Sequence, residues 1–542
     1  MNRRAELIGW VLAASLAWIV AYPILIVVRD ATHASTITAF VRRPSEWQVL
    51  WASIWISLAS VALAAAVGVP LAFLFTRVAF PGSRMLGALI ALPAVLPPLV
   101  GVIAFLFLYG ESGFVARGMQ ALLGLDHSPW HLQGAGAILL VHAYSMYVYF
   151  YLLTRAGLAR IDGSMIEAAQ ALGASRWTTL RRVTLPLLRP ALAGAALLTF
   201  MTALGSFSAP YVFGGGFRVM PTQIVASKLN GDIPRAMVET VALALVALVA
   251  LGLLRRSEGE DVLVALGKGT APPPRVLVGS RGLVTTAAWL LAVFLLLPHL
   301  TLLLISLVPY ATWTTETLPP VLTLDNYRRL FAESDRLEPL VNSLWMAAVA
   351  TAGALVIALL AGWLTVRRRV RPRRLIEHFV ALPWALPGTV FALALATAFS
   401  VSRPLALRWV LVGTAAILPL AYFVRSLPLA GRAVLAGYRQ LDPALEEAAA
   451  ILGAGRWRVL WRVTVPLLRP SLAAGASLAF VTALGDFVTS IVLYTYNTRP
   501  ISIEILSSLR LNELGIAAAF GVLLMVVSGA ALLVGSGGHV RS

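Results

Sequence analysis

The chain of 542 residues has no cysteine, which removes disulfides, CxxC redox chemistry and thiolate metal sites together. Charge is scarce as well. Asp, Glu, Lys and Arg supply only 12% of the residues, whereas 59% are hydrophobic and the mean hydropathy is +0.84. A soluble chain of that composition would expose too much apolar surface to stay dispersed, so this is the sequence of a membrane protein. A nucleotide-binding P-loop is also missing. Its pattern, GxxxxGK[ST], exposes backbone N–H groups to phosphate, and the nearest approach, Gly267-Lys268-Gly269, lacks both the leading glycine and the hydroxyl residue. No HExxH, GxSxG or paired-carboxylate constellation occurs, and the seven histidines are scattered. The chain is therefore not expected to be an enzyme, and no cofactor is expected.

What charge there is has one dominant sign, with a net of +19. The densest run, Arg367 to Arg374, places six arginines in eight residues between two apolar spans. That is the ordinary topology signal of a membrane protein and excludes a nucleic-acid partner. The N-terminus carries Arg3 and Arg4, then an apolar run from Leu7 to Val28 with no small-residue cleavage site. This run is long enough to cross a hydrocarbon core of roughly 30 Å and reads as an uncleaved first helix.

Eleven further apolar runs follow: Trp51–Phe75, Met85–Tyr109, Gly134–Thr154, Ala191–Phe213, Ala236–Leu254, Leu283–Pro309, Val341–Val366, Leu375–Ser400, Trp409–Pro428, Ser471–Tyr496 and Leu514–Val534. Placing the N-terminus in the cytoplasm and alternating sides puts most of the 43 Lys and Arg on the cytoplasmic side. Both termini and the Arg255–Gly282 segment are then cytoplasmic, and the Tyr310–Leu340 segment lies outside. The expectation is an all-α membrane protein of about twelve transmembrane helices. It divides into a first domain at 1–254, a cytoplasmic linker at 255–282 and a second domain at 283–542.

The two domains are copies. Glu167–Pro190, EAAQALGASRWTTLRRVTLPLLRP, returns as Glu447–Pro470, EAAAILGAGRWRVLWRVTVPLLRP, with seventeen of twenty-four positions identical at an offset of 280. With six spans in each copy, the duplication is parallel. In each copy a Glu-Ala-Ala start opens a short helix, a glycine ends it, and a basic amphipathic stretch leads to a proline that introduces the next span. Small alanines admit a partner's surface, so the loop reads as a docking element. Two shorter matches accompany it. Ala91–Leu99 pairs with Ala381–Thr389, where Pro93, Pro97, Pro383 and Pro387 should kink the third span of each half, and Thr202–Phe207 pairs with Thr482–Phe487. Gly205 and Gly485 either permit close helix approach or break the helix so that backbone groups line a cavity.

The EAA-x(3)-G pattern, followed by the proline-bounded basic helix, resembles the coupling loop of binding-protein-dependent ABC importer permeases, over nearly the whole chain. The resemblance implies a type I importer permease (MetI-like) fold in a bacterial inner membrane. It also implies two copies of a cytoplasmic ABC ATPase docked on loops 155–190 and 429–470, and a periplasmic or lipid-anchored substrate-binding protein. The coupling role falls on Glu167, Ala168, Ala169 and Gly173, and on Glu447, Ala448, Ala449 and Gly453. The fused arrangement looks most like the ferric-iron permeases, with the thiamine permeases next and polyamine or oxyanion permeases as further alternatives. An ion-coupled secondary transporter is disfavoured because it has no use for such loops.

For the path, the clearest buried charge is Asp486, whose equivalent in the first half is Ser206. A carboxylate at mid-membrane costs roughly 2.5–3.5 kcal/mol, so it either faces a cavity or is hydrogen-bonded to a neighbouring helix. A cavity role would favour a cationic or metal substrate. No Arg or Lys is expected within a span interior. No metal site can be assigned. His142 among Tyr144, Tyr147, Tyr149 and Tyr151 is either a hard-metal ligand set or interfacial packing.

Overall fold

The structure, a computed structural model, describes residues 3–32, 34–94, 97–257, 275–276, 281–309, 319 and 321–536. Much of the expected linker, 258–274 and 277–280, and part of the expected outer segment, 310–318 and 320, lie outside the described residues. Helix accounts for nearly everything described. The extended exception is a two-residue parallel bridge that pairs Val78–Ala79 with Arg275–Val276.

Eleven helices are long and apolar enough to cross a membrane, and a bent pair brings the number to as many as twelve. In the first half these include α1 (Arg3–Ala31), α2 (Pro44–Arg77), α3 (Pro98–Leu123, helical over Pro98–Tyr109 and Phe114–Leu123), α4 (Gly134–Leu158), α5 (Arg176–Leu204) and α6 (Ile233–Ser257). The second half repeats the order with α7 (Arg281–Ser306), α8 (Ser334–Arg367), α9 (Gly388–Ala398), α10 (Ile417–Gln440), α11 (Arg456–Leu484) and α12 (Leu514–Ser536). Within each half the second and fourth spans run parallel and pack through small residues. Gly68 of α2 meets the α4 backbone at Tyr147, where a Cβ would fall 2.3 Å from the carbonyl oxygen, and Gly362 of α8 lies under the Tyr438 ring of α10. Close approach of this kind is how membrane helices gain packing energy without a hydrophobic drive between them.

The first helix of each half docks on the other half. α1 packs along α9, where Trp18 meets Phe399 and Trp409 edge-on and its indole N–H donates to the Leu405 carbonyl at 2.7 Å. Asp30 and Arg403 close the same contact with an ion pair at 3.0 Å. Reciprocally, α7 packs along α3, and the Tyr144 hydroxyl donates to its Leu295 carbonyl at 2.8 Å. The two halves are thereby interlocked as well as covalently joined.

Proline placement corrects three boundaries expected from the sequence. Pro190 and Pro470 lie inside continuous helices that run from the loops through the fifth spans, Leu185–Leu204 and Val465–Leu484, and do not open them. In each, a first α-helical turn at Arg176–Thr179 or Arg456–Val459 leads into a five-residue π-helical segment, Leu180–Thr184 or Leu460–Thr464, ahead of the proline. Pro428, expected to end the tenth span, sits within α10, which starts at Ile417 and continues to Gln440. At the third spans the prolines do more than kink. A 3₁₀ turn at Leu92–Ala94 precedes α3, and one at Leu382–Ala385 precedes α9, where the path of the chain bends by 110°.

Candidate functional site

The two repeated loops have the same construction. In the first, Asp162 caps a helix at Gly163–Ala171, its carboxylate accepting from Ser164 N–H at 3.0 Å. In the second, Asp442 caps Pro443–Ile451 by accepting from Ala444 N–H at 2.9 Å. The helices thus begin four residues before Glu167 and Glu447, not at them, and the overlooked signal was the Asp followed by Gly or Pro. Gly173 and Gly453 end them at φ +84° and +82°, in the left-handed region that a Cβ disfavours. Glu167, Ala168, Gly173, Glu447, Ala448 and Gly453 are exposed, while Ala169 and Ala449 are half-buried. Beside the glycines, Leu172 and Leu452 stand 90% and 87% exposed, and Trp177 and Trp457 are exposed one turn further on.

The loops are anchored differently. Ile166 packs with Leu158, Ile161 and Leu188 in the first half. Its counterpart Glu446 is ion-paired with Arg367 at 3.0 Å and accepts from the Thr464 hydroxyl at 2.7 Å, while Arg367 also donates to the Leu441 carbonyl.

The shorter repeats meet at the centre of the molecule. Each fifth-span helix stops at its glycine, Gly205 or Gly485, and a separate short helix, Ser208–Phe213 or Val488–Leu493, follows. Each glycine lies against the third-span proline of the opposite half. A Cβ on Gly205 would sit 3.5 Å from Pro387, and one on Gly485 would sit 2.8 Å from Pro97. Between these contacts Phe207 and Phe487 pack ring to ring at 5.5 Å. The chain's four motif segments therefore converge on one pseudo-two-fold contact. Pro93 and Pro383 are buried one turn earlier in the third-span turns.

Asp486 and Ser206 have different surroundings although they are equivalent positions. Ser206 hydrogen-bonds to His142 Nε2 at 2.9 Å, and His142 Nδ1 reaches the Ser60 hydroxyl at 2.8 Å, making a chain of three side chains. Asp486 accepts from Thr489 N–H at 2.7 Å and from the Thr489 hydroxyl at 3.1 Å, and is ion-paired with Arg425 Nε at 3.3 Å. The expectation that no Arg or Lys lies within a span is thus incorrect. Arg425 stands in the interior of α10, and it was missed because Pro428 was read as the end of that span.

The tyrosines of α4 settle into packing. Tyr147 donates to the Ile90 carbonyl at 2.5 Å and Tyr151 to the Gly87 carbonyl at 2.8 Å, satisfying backbone oxygens at the broken third span. Among the described residues no group of three or more His, Cys, Asp or Glu is placed to hold a metal ion. Other buried acids were not anticipated. Arg235 bridges Glu46 at 2.5 Å and Glu239 at 3.0 Å, and Arg499 pairs with Glu504 at 2.9 Å.

Fold and site together define a multi-pass membrane transport subunit, built from two interlocked, pseudo-symmetric helical halves with a shared central contact. The model of the family described as "Binding-protein-dependent transport system inner membrane component" matches twice, at residues 64–257 and 354–536, and the chain belongs to that family, the permease subunits of ABC importers. A probable ABC transporter permease protein of Sinorhizobium fredii is 32% identical over 90% of this chain and 86% of its own length. A ferric transport system permease protein of Actinobacillus pleuropneumoniae is 28% identical over 86% of this chain and 67% of its own. A thiamine transport system permease protein of Escherichia coli is 29% identical over 81% and 79%.

Proposed function

We propose that this permease imports ferric iron. The observation that carries the reading is the 28% identity to a ferric transport system permease across both halves of the chain. The path runs along the central contact of Gly205, Gly485, Pro97 and Pro387. In this reading Phe207 and Phe487 close it in the state described here, and the breaks after Leu204 and Leu484 supply backbone groups to its wall.

Two copies of a cytoplasmic ATPase dock on the loops at Glu167–Gly173 and Glu447–Gly453, and a periplasmic binding protein delivers the substrate. Support for the docking comes from Leu172 and Leu452. Apolar side chains left almost fully exposed beside a rigid left-handed glycine, at the same place in two copies, fit a covering partner better than water. ATP hydrolysis belongs to that partner. Both termini and both loops lie in the cytoplasm, and domain boundaries fall at 1–254 and 283–542 with the linker between.

The test is uptake of radioactive iron and of radioactive thiamine by cells that express the chain with its cognate ATPase and binding protein. Binding-protein-dependent iron uptake is expected. Thiamine uptake without iron uptake, the outcome suggested by the thiamine relative, would overturn the substrate assignment while leaving the importer architecture in place.

A further inference from the structure

We propose that Arg425 is an anion contact in the path between the halves, so that the substrate passes it carrying anionic oxygen. The inference rests on the importer reading and deepens its substrate: ferric iron crosses with an oxygen-anion ligand attached, not as a bare cation. The ion pair between Arg425 and Asp486, beside the contact of Gly485 with Pro97, motivates it.

Asp486 is already occupied. Thr489 N–H and Ser490 N–H donate to one carboxylate oxygen at 2.7 and 3.4 Å, and the Thr489 hydroxyl and Arg425 hold the other at 3.1 and 3.3 Å. Its side chain is only 4% exposed. A carboxylate in that condition has no free lone pair for a passing cation, and its charge is cancelled by its neighbour. Asp486 is a positioning residue that fixes the guanidinium.

Arg425 is different. Its side chain remains 28% exposed, and its bonds to Asp486 and to the Thr489 hydroxyl at 3.4 Å use two of five guanidinium donors. An arginine open at this depth is costly against lipid and belongs in a water-filled space. The location of that space follows from the neighbours. Gly388 borders the guanidinium so closely that a Cβ there would lie 1.7 Å from Nη1, and the adjoining Pro387 touches Gly205 of the other half. Room for the guanidinium is therefore held open by a glycine at the start of α9, next to the central contact.

Two further cations lie across the same seam. Lys228 of the first half donates to the Val492 carbonyl of the second. Arg510 of the second half stacks over the Tyr211 ring of the first at 5.7 Å and donates to its hydroxyl. In the first half the equivalents of Asp486 and Arg425 are Ser206 and Ser145, so the charged contact is on one wall. A planar guanidinium with open N–H groups selects carboxylate, phosphate or another oxyanion by charge-assisted hydrogen bonds.

The experiment uses the complex of permease, ATPase and binding protein in proteoliposomes, with ferric citrate in one arm and molybdate or phosphate in the other. Arg425→Gln is expected to lower uptake about tenfold or more, with ATPase assembly intact. The neutral pair Arg425→Gln/Asp486→Asn leaves no charge unpaired and assembles even where the single variant does not. Its uptake is expected to stay as low as that of the single variant, because the guanidinium is still missing. Recovery of wild-type uptake by the neutral pair would overturn the proposal, since Arg425 would then be only the partner of Asp486. Iron uptake that Arg425→Gln leaves unchanged would overturn it too and leave the iron reading standing. Arg425-dependent uptake of the free oxyanion without iron would sustain the anion contact and refute iron as the substrate.

Discussion

Adding one methyl group at the centre of the molecule should have unequal consequences in its two halves. Gly205 and Gly485 occupy equivalent positions, yet a Cβ on Gly205 would meet Pro387 at 3.5 Å, and one on Gly485 would meet the Pro97 Cβ at 2.8 Å and its Cγ at 3.3 Å. Carbon atoms pack best at about 3.5–4.0 Å. Gly205→Ala therefore makes an ordinary contact, whereas Gly485→Ala forces the opposing halves apart by several tenths of an ångström. The obstacle is a buried proline ring at the start of α3, which has no rotamer into which to withdraw. Overpacking of this kind costs about 1–3 kcal/mol. At about 1.4 kcal/mol per tenfold change in an equilibrium, the arrangement containing the Gly485–Pro97 contact loses population by about five- to a hundredfold relative to one in which the halves have separated. Uptake and ATPase rate of the reconstituted complex read this directly. Gly485→Ala is expected to impair uptake and change the unstimulated ATPase rate, with Gly205→Ala close to wild type in both. Equal behaviour of the two variants, or a larger defect at Gly205, would refute the geometry.

Replacing both Glu167 and Glu447 by Arg should leave membrane insertion intact, because both side chains are exposed outside the spans, while abolishing uptake and copurification of the ATPase; undiminished uptake would sink the docking role. A single cysteine at Gly455, simple to read against a cysteine-free chain, should react with an impermeant thiol reagent only after the membrane is opened, and labelling of intact cells would reverse the assigned topology. At the start of α8 and α12, the hydrogen bond from Arg336 holds the Glu513 carboxyl below its ordinary value of 4.5, with desolvation opposing it, and the same donor holds Glu333 down. Because these folded values are depressed, the stabilisation is complete above the ordinary carboxylate range and is lost as pH falls through the lowered values. Thermal unfolding of the detergent-solubilised permease should therefore show a fall in midpoint below about pH 4.5 that Glu513→Gln makes shallower, and an identical pH profile in the variant would exclude this network as the cause.

The parts of this molecule that were legible in its sequence are those encoded locally or repeated. The loop helices, their glycine stops and the proline breaks of the third spans each rest on a residue acting on its own backbone, and duplication made them visible twice. What the sequence concealed depends on residues far apart in the chain. Nothing in α1 or α7 announces that each will dock on the opposite half, because their apolar faces would serve either half equally well. The same holds for the Gly485–Pro97 and Gly205–Pro387 pairs. The prolines announce a kink within one helix and the glycines a break or a close approach, but nothing local names the neighbour each one meets.

Asp486 shows how one local misreading propagates. Its burial was evident, since an acid in an apolar run declares itself, but its chemistry depended on Arg425, 61 positions earlier by the difference of their numbers. Reading Pro428 as a helix end placed Arg425 at a membrane boundary, where arginines are common and uninformative. In the structure α10 runs through Pro428 to Gln440, and its last turns, with Tyr438 packed on Gly362, carry the helix toward the second loop. The arginine then falls in the span interior, opposite the acid. A lone carboxylate there argues for a cation in the path. The same carboxylate saturated by two backbone N–H groups, a hydroxyl and a guanidinium argues for whatever the guanidinium has left to bind. In the path proposed above, the sign of the preference follows from where α10 ends, and the comparison of Arg425→Gln with its neutral pair measures that sign.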